Sequence, residues 1–282
     1  MRRWIAATAV TLTVSAGICA PANAQTVSPG PIDALRRQLV EHRGVTMSER
    51  MTERGPRDKN DYVYLYRTVV EFGRGEVVAT DTTYRPGNRH TGDSGFRYMT
   101  FDGLRYMKSE SSRLPPGKSW ALTRDKEYSP ALHTSFDIGD PATLRAVLAT
   151  TRDRRPAGVY DGTRTTLHQG VITIGDLYKA SRGSWEWKPT VKEARVRVSW
   201  RIWIGQDQLI RRVWSMRKAP APFTRKIELL RIVDARLTGW GVETHITPPP
   251  ADQVVTVKKG SAPDLDAKDP QEVSVPLNLG AR

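Results

Sequence analysis

Residues 194–204 read ARVRVSWRIWI and alternate strictly between two kinds of side chain. One set is apolar and includes Val198, Trp200 and Ile202, whereas the intervening set is rich in arginine. Successive side chains of a β-strand point to opposite faces of its sheet. The stretch therefore predicts a strand with one buried face and one cationic face, in a sheet that is covered on one side.

A second stretch, residues 62–72, alternates in the same way. One of its faces carries the aromatic side chains Tyr62, Tyr64, Tyr66 and Phe72. Aromatic residues alternating with polar ones are typical of a strand that packs on a core. We expect this face to be buried.

Turn signals indicate how these strands are connected. Asp-Gly pairs at residues 102–103 and 161–162 suit two-residue hairpin turns. Further strands are predicted at residues 209–216, 226–237 and 242–246. The sheet should therefore be large and mostly antiparallel.

Helical patterns are short and few. Residues 32–40 place Ile32, Leu35, Leu39 and Val40 on one stripe. Asp140 and Pro141 form a helix start before residues 142–148, and a third short helix is predicted at residues 176–180. Together these patterns predict an α+β domain, in which two or three helices cover one face of the sheet.

The N-terminus has the features of a secretory signal peptide. Two arginines precede an apolar stretch at residues 4–18, and the small-residue sequence Ala-Asn-Ala follows at residues 22–24. The chain's one cysteine, Cys19, lies in this leader. A lipidated cysteine follows a small residue, and Ile18 stands there instead, so we expect no lipid anchor on Cys19.

These features divide the chain into four parts and place it outside the cytoplasm. The predicted parts are a signal peptide at residues 1–24, a linker at 25–30, a folded domain at 31–257 and a mobile tail at 258–282. The tail is assigned because apolar periodicity stops near residue 258. We expect a protein that is secreted or located in the cell envelope.

Composition narrows the possible partners. The formal net charge is +14, with 38% hydrophobic and 8% aromatic residues, which excludes a polytopic membrane protein and a disordered chain. Arginine next to tryptophan at residues 211–214 could stack on bases, but nucleic acid is scarce outside the cell. We expect anionic head groups of a membrane surface or cell-wall polymers as counter-charges, and no nucleic acid. A plain solvated sheet face remains the alternative interpretation.

No catalytic motif stands out in the sequence. Residues 92–95 read GDSG, as around a protease serine, but a catalytic histidine and aspartate do not precede it across a whole barrel. The five histidines (His42, His90, His133, His168 and His245) form no metal-binding motif, and each is interpreted as a surface or turn residue. Phosphate-binding glycine motifs are also missing. We therefore expect no enzyme, no metal and no cofactor, while a carboxylate pair of a cell-wall hydrolase stays an open alternative.

Six stretches of the sequence carry a family resemblance through their order and spacing. They are residues 32–40, LPPGKSW at 114–120, residues 141–148, YDGTRTTLHQG at 160–170, residues 200–213 and residues 233–255. Together they resemble the actinobacterial LppX and LprG-type envelope proteins, which share the half-barrel fold of the LolA and LolB lipoprotein carriers. The chain departs from that family in lacking a lipobox and in having Gln169 after His168 where an aromatic residue is usual.

The resemblance implies a curved antiparallel sheet, a half-barrel around the helices, with a hydrophobic cavity for acyl chains. Such a cavity is physically sensible, because keeping a 16-carbon chain in water costs on the order of 12 kcal/mol. As candidate lipid-binding residues we take the inward-facing side chains of the two clearest strands, Tyr64, Tyr66, Val198, Trp200 and Ile202. The pattern leaves open whether they line a cavity or fill a solid core.

Three hypotheses on function follow. The first is a monomeric carrier or sensor that binds a lipid or a lipidated ligand and performs no covalent chemistry. The second is a regulatory module like the RseB-type sensors, which share this fold and bind an envelope protein instead of a lipid. The third is the cell-wall hydrolase.

Overall fold

The computed structural model describes residues 30–55, 61–89, 95–109, 112–181, 188–220 and 228–258. Several predictions from the sequence lie outside the described residues. They are the signal peptide with Cys19, the linker up to residue 29, His90, the GDSG stretch up to residue 94 and the tail from residue 259.

Within these described ranges, twelve strands form one sheet. In chain order they are β1 (Arg43–Arg54), β2 (Tyr62–Phe72), β3 (Val77–Pro86), β4 (Phe96–Phe101), β5 (Leu104–Ser109), β6 (Trp120–Arg124), β7 (Thr151–Tyr160), β8 (Thr163–Thr173), β9 (Arg197–Gly205), β10 (Ile210–Pro220), β11 (Glu228–Glu243) and β12 (Val254–Val257). Across the sheet the order is β12-β6-β5-β4-β3-β2-β1-β11-β10-β9-β8-β7. All pairings are antiparallel except that of β12 with β6. The prediction of a large, mostly antiparallel sheet is confirmed.

Both predicted hairpin turns are present. Residues 102–103 join β4 to β5, and residues 161–162 join β7 to β8. Asp161 and Gly162 have positive φ angles of 48° and 69°, which a type I′ turn requires of both central residues. The strand β7 is less regular, because its register with β8 shifts twice along its length.

In the part of the chain that the structure describes, four α-helices accompany the sheet: α1 (Pro31–Gln38), α2 (Pro141–Ala149), α3 (Ile174–Ala180) and α4 (Val191–Ala194). A 3-10 turn spans Ala251–Gln253. In α2 the Asp140 side chain accepts hydrogen bonds from the backbone N–H groups of Ala142 and Thr143, each at 3.0 Å, as the capping pattern predicts. The helix α4 was not predicted. It begins with a capping box between Thr190 and Glu193, so the strand predicted at residues 194–204 starts at Arg197.

The main core lies between one face of the sheet, here called the inner face, and helices α1 to α3. Its buried side chains include Leu35 and Leu39 near α1, Leu144 and Val147 from α2, Leu177 from α3, and Val70, Phe72, Val198, Trp200, Ile202, Val213 and Leu237 from the strands. Val40, expected on the buried stripe of the first helix, is instead 45% exposed because α1 ends at Gln38. The structure contains both the sheet and the helices that the α+β prediction requires. Strands make up most of the fold, however, and the helices are only a minor part of it.

Among the described residues, no helix is both long and apolar enough to cross a membrane.

Candidate functional site

The inner face of the sheet carries a cleft beside the helix-covered core. Two adjoining cavities of about 300 and 290 Å³ make up this inner cleft. They share the lining residues Met47, Thr68, Thr82, Tyr98, His133, Ser135 and Arg217. Small-ligand pockets range over about 300–1,000 Å³, so each cavity has the size of a polar head group or a short apolar segment.

Strand register places the floor of the cleft in one row. Met47 of β1 lies opposite Thr68 of β2, Thr68 opposite Thr82 of β3, and Thr82 opposite Tyr98 of β4. The hydroxyl groups of Thr68 and Thr82 hydrogen-bond to each other at 3.0 Å. These positions alternate with outward-facing ones, so period-two patterning brings polar side chains inward here.

The segment between β6 and α2 forms the opposite wall. Ser135 is buried, and its hydroxyl lies 2.6 Å from the hydroxyl of Ser215 on β10. Phe136 is fully buried in the main core and anchors the segment there.

Two titratable side chains, His133 and Asp137, face the cleft from this wall. The carboxylate of Asp137 accepts a hydrogen bond from the backbone N–H of Gly139 at 2.8 Å. Burial raises the pKa of Asp137 to about 7.

Charged groups cluster at the β1, β10 and β11 side of the cleft. Arg231 donates from Nε to Oε1 of the buried Glu53 at 2.7 Å. Arg217 lies directly opposite Arg231 in the strand pairing and has no such carboxylate hydrogen bond to its Nε. Burial, and then the charge of Arg231, lower the pKa of Arg217 to about 10. Burial also raises the pKa of Glu49 to about 8, although the positive charge of Arg231 opposes this.

Two arginines of the first cavity have unsatisfied donors. The Nε atoms of Arg105 and Arg217 are buried and have no hydrogen-bond partner in the described part of the protein. The guanidinium of Arg105 stacks over the ring of Tyr128 at 4.1 Å, which supports its charge but leaves Nε free. A buried donor without a partner costs free energy unless a ligand or water satisfies it. The cleft is therefore suited to an anionic group.

Aromatic side chains continue from the cleft along the inner face. Tyr66 packs on Tyr84 with ring centroids 5.3 Å apart, and Tyr84 stacks on Phe96 at 4.5 Å. Tyr64 lies 6.1 Å from Tyr84, and its hydroxyl is 3.5 Å from Oε2 of Glu53. Burial raises the pKa of Tyr64 to about 12 and also raises that of Tyr66. We call Tyr64, Tyr66, Tyr84 and Phe96 the aromatic strip.

The structure divides the five predicted site residues into two groups. Tyr66 lines the cleft, and Tyr64 lies beside it on the same strand. Val198, Trp200 and Ile202 are instead 0–1% exposed in the main core. These three positions are filled by packing and line neither of the two cavities.

Trp200 illustrates how tightly that part of the core is filled. Its indole Nε1 donates to Oγ1 of Thr150 at 3.1 Å. A Cβ atom on Gly170 would lie 2.7 Å from the Trp200 ring and 2.2 Å from the carbonyl oxygen of Thr150. Only glycine fits there, because the ring occupies the space above the neighbouring strand.

Arg217, Arg105 and Glu49 were missed by the sequence analysis. The missed signal is a charged residue at an inward position of a strand, as with Glu49 between Met47 and Met51. Charged side chains are rarely placed inward without a partner.

Most of the arginine and tryptophan pattern that could have stacked on bases pairs with itself on the outer face. Arg211 is the exception, because it is buried and its Nε and Nη1 atoms have no hydrogen-bond partner among the described residues. Arg212 binds the carboxylate of Asp234 through two nitrogens, at 2.8 and 2.5 Å, and its guanidinium lies 4.7 Å from the ring of Trp203. Arg201 similarly stacks over Trp214 at 4.8 Å. These side chains form cross-strand contacts of the sheet itself.

No family model matches the chain, and no curated protein matches it. Among solved structures, the chain is similar to a DUF1329 family protein from Desulfovibrio piger, with 9% identity over 76% of this chain and 93% of that chain and a TM-score of 0.28. It is also similar to a LolA superfamily protein from Nitrosomonas europaea (9% identity, 77% and 93% covered, TM-score 0.28). A third similar structure is an outer membrane lipoprotein-sorting protein domain from Vibrio parahaemolyticus (11% identity, 74% and 91% covered, TM-score 0.25). One of the three thus bears the superfamily name to which the sequence resemblance points, but at TM-scores this low the likeness does not assign the chain to a family.

Proposed function

We propose that the protein is a binding module of the cell envelope, of the LolA-like half-barrel class, which holds an anionic amphiphile in the inner cleft. In this role it is a carrier or sensor of a lipid or lipidated ligand, and it performs no covalent chemistry. The observation that carries the proposal is the pair of buried, unsatisfied Nε donors of Arg105 and Arg217 beside the aromatic strip.

The charged end of the ligand is assigned to the two arginines. A phosphate or carboxylate oxygen near Arg217 would satisfy its free donor and offset the repulsion from Arg231. The hydroxyl groups of Thr68 and Thr82 offer further hydrogen bonds on the floor of the cleft. This arrangement favours an anionic head group over a neutral one.

The apolar part of the ligand is assigned to the aromatic strip and the methionines. Tyr66, Met47 and Met51 line the second cavity, where flexible methionine side chains adapt to chains of different shape. Neither cavity holds a complete lipid. The acyl chains would therefore lie along the strip, or the wall held by the Ser135 to Ser215 hydrogen bond would have to open.

A second function is favoured by one observation. Because Val198, Trp200 and Ile202 are packed solidly, the described core offers no deep acyl cavity around them. An RseB-type module, which binds an envelope protein without a bound lipid, requires no such cavity. In that case the cleft would receive an acidic side chain of the partner.

Native mass spectrometry of the protein purified from its own host, followed by solvent extraction, tests the proposal. We expect a stoichiometric anionic lipid in the wild type and about tenfold less, or lower, in Arg217→Met, because a charge-assisted hydrogen bond is lost. Arg201→Met is the matched control, since Arg201 lies on the outer face, and it should retain the lipid. A lipid retained equally by Arg217→Met would contradict the assignment to the cleft. A lipid-free wild type that co-purifies with an envelope protein would support the RseB-type function instead.

A further inference from the structure

Two histidines that are far apart in the sequence meet a buried glutamate at one end of the sheet. His42 precedes β1, Glu71 lies in β2, and His245 follows β11 by two residues. The Nδ1 atom of His42 is 3.4 Å from Oε1 of Glu71, and the two imidazole rings have centroids 4.4 Å apart. The three potential ligand atoms all lie within 4.8 Å of one another. Both histidines are exposed, as expected of surface or turn residues, but the structure brings them together.

The local backbone is built to bring these residues together. The backbone N–H of Thr244 donates to the carbonyl of His42 at 2.9 Å, which places the chain after β11 against the chain before β1. A Cβ atom on Gly44 would lie 2.3 Å from Oγ1 of Thr244, so glycine permits the close approach. His42 itself has a positive φ of 61°, an uncommon conformation for a residue other than glycine. Such strained positions persist only where the surroundings fix them, often at binding sites.

Glu71 has the environment of a ligand carboxylate. The residue is 8% exposed, and its Oε2 accepts a hydrogen bond from the backbone N–H of Ile246 at 2.7 Å. That bond orients the carboxylate and leaves Oε1 directed toward His42. Metal-binding carboxylates are oriented in this way by a second layer of hydrogen bonds. Burying a carboxylate is costly without a cationic partner, and a bound metal ion would supply one.

We propose that His42, Glu71 and His245 bind a divalent transition metal, most suitably zinc. Two imidazole nitrogens and one carboxylate oxygen form a common zinc ligand set. Adjacent ligands of tetrahedral zinc lie roughly 3.4 Å apart when the bonds are about 2.05 Å long, which matches the separation of His42 and Glu71. The fourth position is left for water, as in zinc sites with three protein ligands, because Glu243 contacts His245 at 3.4 Å but is not part of the three-residue cluster.

The metal would stabilise a long connection in the chain. After β11, at the middle of the sheet, the chain continues to β12, which pairs with β6 at the far edge. His245 is part of this connection, whereas His42 and Glu71 belong to the β1 and β2 framework. A zinc ion between them fixes the start of the connection. This role is independent of any ligand in the inner cleft.

Zinc titration against a chromophoric chelator tests the site, with protein produced without a polyhistidine tag and stripped of metal beforehand. We expect one zinc ion per chain. Loss of an outer-layer partner reduces metal affinity about 10–100-fold, so His42→Ala and His245→Ala should each reduce it by at least about 100-fold. Glu71→Gln still accepts the Ile246 hydrogen bond and so keeps the fold, but should bind zinc at least about tenfold more weakly.

His168→Ala is the matched control, because it also removes one histidine but lies on β8, away from the cluster. It should bind zinc as the wild type does. Circular dichroism should show that every variant is folded. The proposal is overturned if wild-type protein takes up no zinc at micromolar concentrations, if His42→Ala or His245→Ala binds it unchanged, or if His168→Ala loses it equally.

Discussion

The inner face of the sheet has two halves, which differ although the same alternation of side chains builds both. In the helix-covered half, Val198, Trp200 and Ile202 meet side chains from the helices and are excluded from water. In the cleft half, Tyr66 and Arg217 line an open cavity, whose opposite wall is the segment between β6 and α2. Alternation thus determines which side chains point inward. Whether they meet protein or a ligand depends on what lies opposite.

The two halves also differ in how well their polar groups are satisfied. Trp200, in the covered half, gives its N–H to Thr150. In the cleft half, Arg105 and Arg217 each retain a buried donor without a partner, and burial keeps the pKa of Glu49 well above its usual range. Packing in the covered half accordingly stabilises the fold, whereas the unsatisfied donors of the cleft half cost free energy unless water or a ligand satisfies them.

The largest expected effect is on stability in the covered half. Trp200→Ala should lower the free energy of unfolding by about 3–5 kcal/mol, because a fully buried tryptophan leaves a cavity. Tyr66→Ala, in the cleft half, should cost clearly less, since its side chain already borders open space. Urea unfolding measures both, and Trp200→Phe provides a milder variant if Trp200→Ala does not fold. Equal losses at the two positions would contradict the division into halves.

A smaller effect of opposite sign is expected at Arg217. Arg217→Met should leave the free energy of unfolding unchanged or raise it by about 1 kcal/mol, because it removes a partly buried cation with an unsatisfied donor. Arg212→Met is the comparison on the outer face and should lose about 1–3 kcal/mol with its hydrogen bonds to Asp234. Thermal and urea unfolding at one pH give both values. A marked destabilisation by Arg217→Met would mean that Arg217 supports the fold and is not held for a ligand.

A third effect, which depends on the pKa shift of Glu49, concerns the pH dependence of stability. The pKa of Glu49 is raised from 4.5 to about 8 in the folded protein, so between these pH values the folded state binds more protons than the unfolded state. The contribution of Glu49 to the free energy of unfolding should therefore fall as pH rises through this range. Glu49→Gln should remove this decline and be the more stable protein, relative to wild type, at pH 8 to 9.

The difference between the two unfolding curves isolates Glu49, because other titrating groups such as Asp137 are common to both proteins. A difference that does not change between pH 5 and pH 8 would show that Glu49 is ionised in the folded protein.

Much of the fold could be predicted from local patterns. The alternation within residues 194–204 identified the inner face of β9, and Asp140 with Pro141 identified the start of α2, because each signal acts over a few residues. The strand β12 was missed because its partner β6 lies more than a hundred residues earlier and no local signal marks a parallel pairing. A four-residue helix such as α4 is too short for periodicity to show.

The site was predicted only in part, for physical reasons. Tyr64 and Tyr66 were placed correctly on the inner face, but the sequence does not tell which stretch of that face the helices cover. For this reason the sequence analysis assigned Val198, Trp200 and Ile202 to the ligand site together with the tyrosines. In the structure these three side chains are packed in the main core. Their assignment to lipid binding stays a prediction. The sequence analysis did not recognise that His42 and His245 lie together, because residues that meet from distant parts of the chain form no motif in the sequence.

The irregular strand β7 has a consequence for the behaviour of the protein at high concentration. It ends the sheet among the described residues, where an exposed row of backbone groups invites a second chain to add a strand. Arg152, Arg154 and Arg155 are exposed along it, and Pro156 has no N–H to offer. Its two register shifts further distort the edge. Together these features resist aggregation through edge-to-edge pairing, and they do so most effectively at low ionic strength, where the arginines of two copies repel each other.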